Sequence, residues 1–111
     1  MGPRLASIVR TGDADEDLQV IGAYGASQWG LDSAIEFVRG FDEAFALLMR
    51  HPDVGRRRDE LGDGVRSWLH RSHVIYYLHV GEEVVIGRIL HGSIEPASRF
   101  DLNDAVGHLG Q

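Results

Sequence analysis

The spacing of apolar residues changes half-way along the chain, from the period of an α-helix to that of a β-strand. Between residues 33 and 51 apolar side chains recur every three or four positions, and Pro52 ends the run because the residue before a proline avoids helical angles. These positions are Ala34, Phe37, Val38, Phe41, Ala44, Phe45 and Leu48. After residue 65 the chain is rich in β-branched and aromatic residues, which favour strands. A helical half followed by a strand-rich half predicts an α+β domain.

The first half predicts a strand and a helical hairpin. Residues 4–10 form the strand, and Thr11-Gly12-Asp13 supplies a break and an N-cap for a helix over residues 13–28, whose acidic start suits the helix dipole. Its glycines, Gly22 and Gly25, each cost about 1 kcal/mol in a helix interior, so they either weaken the helix or admit a close neighbour. The stripe predicted to face the core contains Leu18, Ile21 and Tyr24, and the motif Ser33-Ala34-Ile35-Glu36 has the spacing of a capping box for the second helix.

The second half predicts three strands joined by short turns. They cover residues 65–70, 73–80 and 84–91, so neighbouring strands run antiparallel. The element order is β-α-α-β-β-β, in which the helical hairpin packs on one face of a small antiparallel sheet. We expect one domain over residues 1–100 and a tail over residues 101–111 that either forms one helical turn or frays.

Composition narrows the class of function. The net charge of −6 opposes general nucleic-acid binding, which needs a basic surface. The absence of cysteine excludes disulfides and thiolate chemistry. No apolar run reaches the roughly 20 residues of a membrane span, so we expect a cytoplasmic protein without membrane contact. All eleven cationic side chains are arginines, through either coding bias or a need for planar, bidentate contacts.

Both faces of the predicted sheet are apolar. On the middle strand, Tyr76 and Leu78 point to one face while Ile75 and Tyr77 point to the other. Two helices cover only one face, so the other predicts a binding partner, with the tail or a second copy of the chain as the alternative cover. Strict alternation assigns the following last-strand residues to a single face: Val84, Ile86, Arg88 and Leu90.

No catalytic or metal-binding motif is apparent. The six histidines lack the spacing of a zinc site, and neither a nucleophile motif nor a phosphate-binding loop is present, so we expect no metal and no cofactor. Arg66 and Arg88 are the stronger candidates, because a charge inside a strand must be paired or solvated. Either Arg66, Trp68 and His70 share the open face with Arg88, or the two arginines pair with acids, the candidates being Glu36, Asp59 and Glu83.

Two further groups of residues have open interpretations. The run of arginines at residues 56–58 forms a solvated loop with Asp59 and Glu60 as counter-charges, or else it meets an anionic partner. Trp29 and Trp68 are expected to lie in the core rather than at a contact surface.

Short motifs spread over residues 4–100 resemble the ParE branch of the RelE/ParE toxin superfamily, in that family's order and near its spacing. They are Gln28-Trp29-Gly30, His51-Pro52 with Gly55-Arg56, Asp59-Glu60-Leu61, Gly64-Val65-Arg66-Ser67, His73-Val74-Ile75-Tyr76-Tyr77 and Arg88-Ile89-Leu90-His91. The superfamily has a helical hairpin packed on an antiparallel sheet, which agrees with the element order.

The resemblance implies the toxin of a type II toxin–antitoxin pair. Such a toxin inhibits DNA gyrase by binding it, is neutralised by a ParD-like antitoxin, and meets DNA only through that antitoxin. The alternatives are a ribosome-dependent mRNA endonuclease of the RelE type, which would use Arg66 and Arg88 on the open face, and an inactive binding module. We predict no catalytic residue, and the residues predicted to bind antitoxin or target are Arg58, Arg66, Trp68, Tyr76, Leu78, Ile86, Arg88 and Leu90.

Overall fold

A computed structural model of the protein describes residues 5–96. The predicted start of the first strand at residue 4 and the predicted tail over residues 101–111 lie outside the described residues. The elements, in chain order, are β1 (Ser7–Arg10), α1 (Gly12–Trp29), α2 (Leu31–Arg39), α3 (Phe41–Arg50), β2 (Arg56–Arg57), a 3-10 turn (Asp59–Leu61), β3 (Arg66–His70), β4 (His73–Val80) and β5 (Glu83–His91).

The strands form one sheet in the order β1-β5-β4-β3-β2. Strands β3, β4 and β5 make the predicted antiparallel meander, but β1 pairs parallel with β5, so the sheet is mixed rather than purely antiparallel. The helices carry the chain from β1 across the sheet, which allows β1 and β5 to run in the same direction. The sequence did not predict β2, because two arginines paired with Arg66 and Ser67 are too short a signal.

The start of α1 is fixed by Thr11, the first of the three residues predicted to contain the N-cap. Its hydroxyl accepts a hydrogen bond from the N–H of Ala14 (3.0 Å) and donates one to the carbonyl of Gly87 in β5 (2.9 Å). One side chain therefore caps the helix and ties its first turn to the sheet.

The helical hairpin depends on three glycines. Gly30 alone joins α1 to α2, with a φ of +92° that L side chains rarely adopt. A Cβ atom at Gly25 would lie 3.3 Å from the Cβ of Ala34, and one at Gly22 would lie 3.4 Å from Val38. Of the two alternatives for these glycines, close approach of a neighbouring helix is therefore the one observed.

The second predicted helix is divided at Gly40 into α2 and α3. The N–H of Glu43 bonds to the carbonyl of Gly40, three residues back rather than four, so the regular ladder is interrupted there. The predicted capping box is wrong, because α2 begins at Leu31 and has Gly30 before its first residue, which places Ser33 inside the first turn.

The main core lies between the helices and one face of the sheet. Leu18 and Ile21 of the predicted α1 stripe pack against it, whereas Tyr24 is 62% exposed and does not belong to the stripe. Trp68 packs against the core as expected, but Trp29 is 56% exposed, contrary to prediction. The buried members are Ala6, Ala14, Phe41, Ala44, Phe45, Leu48, Ile75, Tyr77, Val84, Ile86 and Ile89.

A second apolar cluster lies on the other face of the sheet, so the prediction that this face is exposed is wrong. Tyr76, Leu78 and Leu90 are only 3–6% exposed there. They pack with Val65 and, among partly buried residues, with Leu61, Val74 and Ile94. The segment before β3 and the segment after β5 thus supply apolar cover that strand alternation alone does not reveal.

A bulge in β5 changes which residues share a face. Tyr76 pairs with Arg88, but the next residue, Tyr77, pairs with Ile86, so Gly87 is the extra residue. Ile86 consequently lies in the main core while Leu90 lies in the second cluster. The prediction that these β5 residues share a single face is therefore wrong, because the bulge interrupts the alternation of side chains along the strand.

Candidate partner-binding surface

Exposed apolar side chains gather on the hairpin of α1 and α2. Val20, Tyr24, Trp29 and Leu31 are each more than half exposed, and Ile35 is 40% exposed. Large apolar side chains that share one exposed region mark an interaction surface more often than an accident of packing.

Between the two helices lies an apolar groove of about 360 Å³, which we call the hairpin groove. Gly22 opens it from the α1 side because it has no side chain, while Gln19 and Arg39 contribute polar groups. The apolar lining consists of Leu18, Leu31, Ala34, Ile35 and Val38. A groove of this kind suits the apolar side chains of a helix or an extended segment.

Aromatic rings connect the exposed hairpin to the core. Tyr24 meets Trp29 edge to face at a centroid distance of 6.4 Å, and Trp29 lies 5.7 Å from Phe37. Phe37 in turn contacts the fully buried Phe41 at 5.8 Å. The exposed Trp29 is therefore supported on one side by a rigid cluster, as is typical of aromatic residues that anchor a partner.

Arg66 is engaged within the fold, on the face that carries the helices. Its guanidinium donates to the carbonyls of Asp53 (3.0 Å) and Gly55 (2.9 Å) and lies 3.8 Å from the Asp53 carboxylate. The predicted alternative of pairing with an acid is thus nearer the observation, but the acid is none of the three proposed from sequence.

Tyr77 also fixes the loop that contains Pro52 and Gly55. Its hydroxyl donates to the carbonyl of Pro52 (2.8 Å) and accepts from the N–H of Gly55 (2.9 Å), and burial raises the pKa of Tyr77. A Cβ atom at position 55 would lie 2.5 Å from this hydroxyl, so only glycine fits. Arg66 and Tyr77 together fix the connection from α3 to β2.

Arg88 forms a bidentate ion pair with Asp17 of α1. Its Nε and second guanidinium nitrogen donate to the two carboxylate oxygens at 2.8 and 2.9 Å, and the pair is mostly buried. The Asp17 carboxylate raises the pKa of Arg88 and also accepts the N–H of Ile89 (2.9 Å). Pairing with an acid is therefore correct, but Asp17 is none of the three acids proposed from the sequence.

Arg66 and Arg88 do not share a face. Their cross-strand partners are Tyr77 and Tyr76, which are consecutive on β4 and belong to the two different apolar clusters. Consecutive strand residues point to opposite faces. The constellation expected for an RelE-type endonuclease, with both arginines on one open face, is not formed.

Arg58 lies on the same side as Tyr76, with its guanidinium carbon 5.7 Å from the ring centroid. It also bonds to Glu60 at 2.6 Å, while Arg57 pairs with Asp59 at 3.0 Å. The predicted counter-charges for the arginine run are confirmed.

The eight residues predicted to bind a partner are thus divided between the two faces. Arg66, Trp68 and Ile86 lie on the helix side, and Arg58, Tyr76, Leu78, Arg88 and Leu90 lie with the opposite face. Their role in binding stays a prediction. The sequence did not predict the hairpin groove; the available signal was Val20, an apolar residue outside the predicted core stripe of α1.

Comparison with known proteins agrees with this architecture. A family model described as the ParE toxin of the type II toxin-antitoxin system, parDE, matches residues 8–96. The chain belongs to the ParE toxin family. It is 33% identical to Toxin ParE1 of Caulobacter vibrioides over 81 residues, covering 73% of this chain and 83% of that protein. Toxin ParE3 of the same organism is 27% identical over 96 residues, covering 86% of this chain and 96% of its own length.

A solved structure shares the ParE fold. The chain superposes on a structure described as the chromosomal ParDE TA system from P. aeruginosa with a TM-score of 0.69 and 25% sequence identity. The match covers 80% of this chain and 98% of that one. The resemblance to ParE drawn from short motifs is confirmed. Within residues 5–96, no helix of this ParE toxin is long and apolar enough to cross a membrane.

Proposed function

We propose that this ParE toxin is neutralised by a ParD-like antitoxin whose apolar segment occupies the hairpin groove, and that the unbound toxin arrests growth by binding DNA gyrase. The observation that supports the antitoxin part is the apolar groove beside Trp29 and Leu31. The gyrase part rests on family membership.

The negative charge of the helical hairpin indicates which charges a partner should carry. Residues 12–39 carry six acidic side chains and one arginine, Arg39. Asp17 is paired with Arg88 and Asp15 with Arg10, which leaves Asp13, Glu16, Asp32 and Glu36 on the two helices that form the groove. A partner segment with apolar residues facing the groove and basic residues at its margins complements this surface.

A binding mode of action, without catalysis, is supported by the state of the two strand arginines. Arg66 holds the loop before β2 and Arg88 holds α1, and the two lie on opposite faces of the sheet. An endonuclease would need cationic groups that converge on one scissile phosphate. Contact with DNA is expected only through the antitoxin.

Two measurements test the proposal. Co-expression with the product of the neighbouring reading frame should yield a stable complex, and purified toxin should block supercoiling by gyrase. Unaffected supercoiling at excess toxin rejects the gyrase part. Cleavage of mRNA in a translating extract, lost in Arg66→Ala, favours the endonuclease, and absence of growth arrest on induction favours an inactive binding module.

A further inference from the structure

Three histidines form a row across β3, β4 and β5 at one end of the sheet. His73 on the middle strand pairs in register with His70 on one side and with His91 on the other. Residues directly opposite on antiparallel strands share a face. The rings of His73 and His91 are 5.4 Å apart, so the row is closely packed. We call these three residues the histidine row.

The joint between α2 and α3 rests on the histidine row. Phe37 lies 5.8 Å from the His73 ring, and Phe41 lies 4.8 Å from His70 and 5.9 Å from His73. Gly40, the residue that divides the two helices, is close enough that a Cβ there would lie 3.6 Å from Nε2 of His70. That nitrogen is buried and, within residues 5–96, has no hydrogen-bond partner.

Charged groups of α2, α3 and the β3–β4 turn lie beside His70, at one end of this row. Glu36 and Arg39 of α2, Glu43 of α3 and Arg71 of the β3–β4 turn line an adjacent polar cavity of about 450 Å³ that His70 also lines. The serine hydroxyls nearest the row are Ser72, 3.3 Å from Nδ1 of His73, and Ser93, 2.8 Å from Nδ1 of His91.

Burial lowers the pKa of His70, with Arg71 acting in the same direction and Glu43 opposing it. Burial also lowers the pKa of His73, and the neighbouring His91 and His70 lower it further. Glu36 and Glu43 are exposed, so solvent screens the attraction that they offer to a protonated ring. A metal is not the alternative explanation, since within the described part of the chain no group of three His, Cys, Asp or Glu residues is arranged to hold one.

We propose that the histidine row is an acid-sensitive latch: neutral rings hold the α2–α3 joint on the sheet, and their protonation loosens it. Like charges directly opposite on paired strands are destabilising, and His73 would face one on each side. The joint belongs to the same helix that lines the hairpin groove, and Arg39 lines both the groove and the polar cavity. Loosening of the joint therefore also changes the shape of the groove.

The sign of the pH effect follows from proton binding. Because the folded chain holds His70 and His73 at lowered pKa values, the unfolded chain binds more protons below the ordinary histidine pKa of about 6.5. Stability is complete above that value and falls as the pH decreases through it.

Thermal unfolding of the purified chain between pH 7.5 and 5.5 tests the latch. In a domain of this size a small loss of stability lowers Tm by several degrees. We therefore expect the wild-type Tm to fall by at least about 4 °C over this range. His73→Phe keeps a ring among the aromatic residues and removes the central titrating group, so its Tm should depend much less on pH. His51→Gln, at an exposed position outside the row, should follow the wild type.

A second variant and a second observable protect the test against a folding defect. His91→Asn changes an exposed member of the row and should flatten the pH dependence in part. Histidine NMR titrations on the wild type should place the midpoints of His70 and His73 below the ordinary histidine value of about 6.5. Superimposable pH curves for the wild type, His73→Phe and His91→Asn, or midpoints of His70 and His73 at or above about 6.5, overturn the latch. Because no partner is present, failure here leaves the proposed antitoxin and gyrase roles untouched.

Discussion

Arg88 and Asp17 meet through two parallel hydrogen bonds, of 2.8 and 2.9 Å, between residues that are 71 positions apart in the chain. The same carboxylate accepts the N–H of Ile89, so one aspartate satisfies both a side chain and the backbone of β5. This pair joins α1 to the sheet just beyond the point where β1 ends. Strand β1 covers the first part of the β5 edge with backbone hydrogen bonds. The Arg88–Asp17 pair covers the next part of that edge with side chains.

Asp17→Asn should destabilise the fold by about 2–3 kcal/mol, because it removes the charge from a mostly buried pair and leaves Arg88 without a bidentate acceptor. Urea unfolding at pH 7.5 measures this difference. Asp15→Asn is the matched control, since its pair with Arg10 is about half exposed and contributes less than about 1 kcal/mol. Equal urea midpoints for the two variants contradict the assigned role of Asp17.

Tyr77→Phe should lower the free energy of unfolding by about 1–3 kcal/mol. The change removes the bond to the Pro52 carbonyl and leaves the N–H of Gly55 without its acceptor inside the protein. Tyr24→Phe on the exposed hairpin should change stability by less than about 0.5 kcal/mol. Guanidinium unfolding of both variants makes the comparison, and an undiminished stability of Tyr77→Phe shows that the hydroxyl does not secure the loop.

Leu31→Asp should weaken binding of the proposed antitoxin by at least about tenfold, which corresponds to about 1.4 kcal/mol, while the fold stays intact. The aspartate adds charge to an apolar groove on a hairpin that is already acidic. Leu69→Asp is the matched control, because both leucines are 66% exposed and Leu69 lies on β3, away from the groove. Calorimetric titration with the co-purified partner compares them, and an equal loss for both variants argues against the groove as the contact.

The Asp53–His79 pair predicts an effect at acid pH. The hydrogen bond from His79, 2.9 Å long, is the main cause that lowers the pKa of Asp53. A carboxyl with a lowered folded-state pKa stabilises the fold above the unfolded value of about 4 and loses that contribution as the pH falls through the lowered value.

The stability difference between wild type and Asp53→Asn should therefore be small, since the side chain is 67% exposed, and should shrink below about pH 4. Chemical unfolding at pH 7 and pH 3 measures it. Asp63→Asn, in the exposed turn before β3, serves as the control. A difference that grows towards pH 3 reverses the sign expected from the pair.

The strands and helices that repeat a simple pattern could be predicted from the sequence. Strand β4 was predicted over its observed range, because five of its eight residues are β-branched or aromatic and the strand is bounded by turns. An N-cap near Thr11 could also be predicted, because the capping hydroxyl and the N–H that donates to it are only three residues apart. These features depend on neighbours in the chain.

The remaining features depend on residues that are distant in sequence. The parallel pairing of β1 with β5 and the choice of Asp17 by Arg88 leave no local signal. The bulge at Gly87 has one, because a glycine inside a strand often marks a bulge, but the glycine alone does not show how the register shifts. The break at Gly40 was missed because the apolar period continues through it. The hairpin groove was missed for the opposite reason: what makes it is the missing side chain of Gly22, and a pattern search looks for side chains that are present.

Gly22 is of interest for organisms that carry several similar toxins. Caulobacter vibrioides has at least two similar toxins, named ParE1 and ParE3, so one cell can hold several toxins of this shape. The methyl carbon of an alanine at position 22 would lie 3.4 Å from Cγ2 of Val38 and would take up space in the groove. On the proposed function, one small substitution at this position alters which antitoxin segment fits. On the same proposal, the identity of residue 22 helps to determine how well this toxin distinguishes its own antitoxin from that of a related pair.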